Sequence, residues 1–246
     1  MSFKAFLLII FIVLCGTFIY AKVASLGNPN SHFNRTTRFW LGQYQTARTV
    51  LGLHNDGDAR GSYLKGTSSI TIEYVESSGS HLDRQALGQF VSKVKEYTGR
   101  PVNLYYNDTI SNATLTPKDL AEIAKGSRHH VIPGQPNLFI IYALDYDRPS
   151  GEVGETYQEF GIVLSDSRLK EVTKNFSGSL PQYIESTLLH EFGHQLGLAH
   201  NEEPGCIMNT KVETPAITGG FTGDYTPTSF CPYELDQLQA IKNSLK

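Results

Sequence analysis

The sequence predicts an α+β fold built on one mixed sheet. Two observations carry this. Strand-like and helix-like runs follow one another in the order strand, helix, strand, strand, strand, helix, and a continuous apolar run at Leu138–Leu144 has the composition of a strand buried on both faces.

Each element has a local reason. Ser69–Val75 alternates and is β-rich, which predicts the first strand. Leu82, Ala86, Phe90, Val94 and Tyr97 recur at helical spacing, and Gly99 follows as a stop, so a helix is expected over Leu82–Tyr97. Val102–Tyr106 reads as a second strand. Thr116 is placed as the N-cap of a short helix with Pro117 in its first turn. Leu138–Leu144 and Glu159–Leu164 are the next strands, joined through the Gly-rich segment Pro149–Gly154. Ser179-Leu180-Pro181-Gln182 is a capping-box start for a helix running to about Leu196, with Leu189, Phe192 and Leu196 as its core-facing stripe.

The 246 residues suffice for one sizeable core. A net charge of −3 and the lack of any Lys/Arg run argue against nucleic acid as a partner. Met1–Lys4 is a short charged start, and Ala5–Tyr20 is almost wholly apolar, so residues 1–21 read as a secretory signal peptide or an uncleaved signal anchor. A lipid-modified Cys15 is disfavoured, because Leu14 stands where lipoprotein signals want a small residue. The chain is therefore expected outside the cytoplasm, secreted, or held at a membrane only if that segment is uncleaved. Residues 22–66 are rich in turn-forming residues and read as an arm or linker able to pack on the domain, or as a short pro-segment. Residues 67–246 read as the main folded domain. Beyond Cys15, Cys206 and Cys231 form an even pair in an exported domain and are expected as a disulfide, worth roughly 3 kcal/mol for a loop of this length.

The chemistry is concentrated in His190-Glu191-Phe192-Gly193-His194-Gln195-Leu196-Gly197-Leu198-Ala199-His200. His190 and His194 are four apart and share one helix face. Gly197 ends the helix and the chain turns back to bring His200 to the same place. Three neutral imidazoles suit Zn2+ and leave a fourth position for water, the pattern of a catalytic site rather than a structural one. Glu191, one residue from His190, is placed to act as general base on that water.

These residues, together with Cys206-Ile207-Met208-Asn209, resemble the metzincin clan of zinc endopeptidases. The resemblance implies a zincin catalytic domain with a twisted mixed sheet, an active-site helix and a smaller C-terminal lobe from about Asn201. It implies that Met208 forms an apolar floor beneath the metal. It also implies that an edge strand near Gly154–Leu164 pairs with an extended polypeptide substrate. Cys206-Ile207-Met208 is similar to the archaemetzincins. Asn201 stands where they carry a cysteine, however, and only Cys231 remains of their later pair, so their second zinc is not expected. The helix also resembles matrixins, whose cysteine switch and His-rich loop are absent.

Other residues weigh less. His129-His130 lacks a third ligand and is expected to be solvated. Asp145-Tyr146-Asp147 offers too few oxygens to establish calcium. Tyr225 and Tyr233 are expected to pack, and Thr210–Phe230 to shape the pocket beyond the scissile bond. A monomeric zinc endopeptidase is the leading reading. Its rivals are a zinc-binding interaction module without catalysis, against which Glu191 counts, and a zinc amidase or peptidase restricted to small or cell-wall substrates.

Overall fold

Alternation decides which side of the sheet each strand residue faces, and two separate cores result. The computed structural model describes residues 15–21, 23–24, 58–111, 114–147, 152–175, 178–209 and 226–245. The chain divides into two compact units, Met1–Asp56 and Gly57–Lys246. In the first, residues 15–21 and 23–24 are helical, and Phe18, Ile19 and Tyr20 are exposed. Most of the expected targeting segment lies outside the described residues. Among those described, no helix is long and apolar enough to cross a membrane.

The second unit begins with α1 (Arg60–Leu64), then β1 (Ile70–Ser77), α2 (Arg84–Thr98), β2 (Val102–Ile110), β3 (Thr114–Leu115) and α3 (Pro117–Ser127). It continues with β4 (Asn137–Ala143), β5 (Asp145–Tyr146), β6 (Gly154–Tyr157), β7 (Gly161–Ser165), α4 (Asp166–Asn175), α5 (Leu180–Gln195) and α6 (Pro232–Ser244). The main sheet has the order β2-β1-β4-β7-β6. β2, β1, β4 and β7 are parallel, while β6 pairs antiparallel with β7, Gly154 opposite Leu164 and Tyr157 opposite Gly161. The sheet is thus mixed, as expected, and mostly parallel. β3 and β5 form a separate two-stranded ladder.

On one face Ile70, Ile72, Leu138, Ile140, Tyr142, Ile162 and Leu164 join α2, α4 and α5 in the larger core. On the other, Val75, Phe139, Ile141, Ala143 and Val163 meet Leu120 and Ala124 of α3. Helices on both faces explain why β4 is apolar at almost every position. The expected caps are present. Gly99 takes φ 70° and ends α2 with its N–H on the Lys95 carbonyl. Asp119 accepts from the Thr116 N–H and hydroxyl, both at 2.7 Å, at the start of α3.

Three expectations need correction. Glu159 is not in a strand: residues 158–160 form the turn of a β6–β7 hairpin, with Gln158 at φ 52°. α4 was not expected, because only Leu169 and Val172 on it reach the core. Asp58–Leu64, the described end of the expected arm, belongs to the second unit, with Tyr63 1% exposed and edge-on to Phe192. Tyr233 is 48% exposed rather than buried in the core, while Tyr225 lies outside the described residues.

Candidate active site

α5 is set by its ends. Gln182 Oε1 accepts from the Ser179 N–H at 3.0 Å, and the Ser179 hydroxyl oxygen accepts from the Gln182 N–H at 3.4 Å, completing the expected capping box. At the other end the Gly197 N–H donates to the His194 carbonyl and the Leu198 N–H to the Gly193 carbonyl, both at 2.9 Å, with Gly197 at φ 85°. This is a Schellman stop, and it reverses the chain. The helix is buried on nearly every side rather than along one stripe: Tyr183–Gly193 is buried throughout, Ser186, Thr187, His190 and Glu191 included. It lies under the sheet, where Gln195 Nε2 donates to the Gly161 carbonyl at 3.1 Å.

The reversal brings the three predicted histidines together. His200 Nε2 lies 3.1 Å from His190 Nε2 and 3.1 Å from His194 Nε2. Three nitrogens at about 2.0–2.1 Å from one tetrahedral ion stand about 3.3 Å from each other, so the spacing fits a small cation. The other ring nitrogens agree. His190 Nδ1 is 2.7 Å from the Ile207 carbonyl, and His194 Nδ1 is 3.2 Å from the Leu198 carbonyl. A carbonyl only accepts, so each Nδ1 carries the proton and each Nε2 presents a lone pair to the shared point. His190 is buried, His194 half-buried and His200 exposed, so the point opens toward solvent on the His200 side.

Glu191 is buried, and its carboxylate is held from the sheet edge. Thr156 Oγ1 on β6 lies 2.7 Å from Glu191 Oε2 and 2.9 Å from the Glu191 carbonyl. β6 passes so close that a Cβ on Gly154 would stand 2.6 Å from Thr187 Cγ2 and 3.4 Å from Glu191 Oε1. Elsewhere on the helix, burial pushes the Glu185 carboxyl up, with Lys93 opposing. On β6, burial likewise raises the Tyr157 phenol, with Arg128 opposing, so that hydroxyl stays protonated.

Met208 is fully buried beneath the helix: a Cβ on Gly193 would meet its Sδ at 2.3 Å. Cys206 and Cys231 form the expected disulfide, which ties the Met208 loop to the start of α6. Both sulfurs of the second potential metal group, Cys206, Cys231 and Glu234, are used by that bond.

The remaining candidates fall elsewhere. His130 is not simply solvated: its Nδ1 is 3.1 Å from Glu73 Oε2, and its ring stacks on Tyr105 at 3.9 Å. The Asp145 carboxylate accepts from the hydroxyls of Ser167 at 2.6 Å and Ser165 at 3.4 Å, and it joins no metal-capable group among the described residues. Residues 210–225 of the expected pocket wall lie outside the described residues. Sequence reasoning missed Thr156 and the Ile207 carbonyl, neither of which carries a local signal. It also missed Glu234, whose placement three residues after Cys231 with Pro232 between is a recognisable helix start.

No protein-family model matches the chain, and no curated protein does. Among solved structures the chain is similar to an archaemetzincin from Methanopyrus kandleri, at 16% identity over 72% of this chain and 96% of that one, with a TM-score of 0.48. It is also similar to an archaemetzincin from Archaeoglobus fulgidus complexed with malonate, at 16% identity over 69% of this chain and 99% of that one, with a TM-score of 0.43. A third similar structure is metalloproteinase-II from Bacteroides fragilis, at 14% identity over 76% of this chain and 56% of that one, with a TM-score of 0.44.

Proposed function

We propose that this chain is an exported zinc-dependent endopeptidase, with residues 67–246 as its catalytic domain, residues 1–21 as its export signal or anchor, and a monomeric working form. The carrying observation is the convergence of the His190, His194 and His200 Nε2 atoms with two Nδ1 protons already committed to backbone carbonyls. These three residues would hold the ion, and bound zinc would supply an acidified water and a polarised substrate carbonyl.

The chain's own groups do the rest. Glu191 takes the proton of the attacking water and returns it to the departing amine. Thr156 fixes that carboxylate from the side of β6. Among the described residues β6 is the outer strand of the sheet, so its outer edge would offer main-chain hydrogen bonds to an extended polypeptide, and side-chain pockets then choose among sequences. Burial of Glu191 and His190 keeps water away from the proton path except at the open His200 side. The disulfide supports export, because such bonds persist in oxidising compartments.

The test is cleavage of an unfolded protein by the purified chain, with and without a strong chelator. Turnover lost to the chelator and restored by stoichiometric zinc is the expected result. Turnover indifferent to chelation contradicts the metal reading. Cleavage of small or cell-wall amides with none of polypeptides contradicts the endopeptidase reading and favours the restricted amidase.

A further inference from the structure

We infer that Glu234 is a positioning residue for the metal site, acting through backbone groups rather than by touching the ion; this rests on the zinc reading above. Glu234 is fully buried on the first turn of α6. Its Oε1 accepts from the Met208 N–H at 2.5 Å and from Asn201 Nδ2 at 3.1 Å. Its Oε2 accepts from the Cys231 N–H at 2.9 Å and from the Ile207 N–H at 3.3 Å. One carboxylate thus gathers the residue after His200, the Met208 loop and the start of its own helix α6. A buried polar group is costly unless it is hydrogen-bonded, and here both carboxylate oxygens are.

Two branches run from it to the histidines. In the first, Glu234 holds the Ile207 and Met208 amides, and the Ile207 carbonyl accepts from His190 Nδ1 at 2.7 Å. In the second, it holds the Asn201 side chain, while the Asn201 N–H donates to the Met208 carbonyl at 2.9 Å. Asn201 is bonded directly to His200, so both its side chain and its backbone fix where that ring arrives. His190 and His200 are therefore oriented by one buried group that belongs to neither their helix nor their turn. Partners of this kind set ring direction and tautomer, and their loss typically costs about 10- to 100-fold in metal affinity.

A cap for α6 alone would explain only the Cys231 contact. Gln at 234 keeps the size but turns an amide NH2 toward N–H groups that need an acceptor. Glu234→Gln and Asn201→Ala are therefore compared with wild type by chelator-competition measurement of the zinc dissociation constant and by the visible spectrum of the cobalt-substituted protein. We expect Glu234→Gln to bind zinc about 10- to 100-fold more weakly, with altered cobalt bands. Asn201→Ala leaves the Cys231 cap intact and should still weaken binding several-fold, so it carries the test if Glu234→Gln fails to fold. Folded variants that hold zinc within twofold of wild type with unchanged cobalt bands overturn the inference. A wild type that binds no zinc instead overturns the reading it rests on.

Discussion

Thr156 Oγ1 sits 2.7 Å from Glu191 Oε2, joining the outer strand of the sheet to the acidic residue between the first two histidines. A hydroxyl has one proton, and the Glu191 carbonyl, 2.9 Å away, competes for it. Thr156→Val keeps the shape of this buried side chain and removes the donor. We predict that kcat falls about 10- to 100-fold, the rate equivalent of a hydrogen bond to a charged group at about 1.5–3 kcal/mol. Zinc content, measured on the same preparation, should not change. An unchanged kcat would show that Glu191 needs no tether.

Gly193 separates helix propensity from packing. Replacing a mid-helix glycine by alanine ordinarily stabilises by about 1 kcal/mol. At Gly193 the new Cβ would meet Met208 Sδ at 2.3 Å and Phe230 Cε1 at 3.3 Å, and overpacking costs about 1–3 kcal/mol. At Gly88 on α2 nothing lies within 4 Å. Denaturant unfolding should therefore show Gly193→Ala destabilised and Gly88→Ala stabilised. Equal gains at both positions would mean that Met208 yields freely.

The Glu73 carboxyl makes stability acid-sensitive. Burial raises it, but the side chains of Asn107, Asn137 and His130 and the His129 N–H together outweigh burial and hold it at about 2. A depressed folded value contributes stability that is complete above the ordinary carboxyl value near 4.5 and is lost as pH falls toward about 2. Melting curves across that window should fall more steeply for wild type than for Glu73→Gln, which already lacks the contribution at neutral pH. Parallel curves would contradict this account.

The site was legible where its geometry is local. His190 and His194 are one helical turn apart, and Gly197 brings back His200 by a reversal that the sequence marks with a glycine. The supports of those residues were not legible. Thr156 meets Glu191 across 35 residues, Ile207 meets His190 across 17, and Glu234 meets Met208 across 26. Those meetings depend on sheet order and loop path, which no periodicity encodes. In the fold, the alternation of Ser69–Val75 and the continuous apolar run of Leu138–Leu144 marked strands, whereas α4 was hidden because Leu169 and Val172 are too few to display a period. β2 runs past Tyr106 to Ile110 because its parallel pairing with β1 continues through a register shift at Tyr74/Val75.

The central claim is that Glu191 moves the proton while the histidines hold the ion. Glu191→Gln, assayed for both zinc content and turnover of an unfolded protein, tests it most directly. The account predicts one zinc per chain, as in wild type, with turnover reduced about a thousandfold, within the roughly 10²–10⁴ range of a single acid–base group. A variant that keeps its zinc and cleaves at the wild-type rate would contradict it.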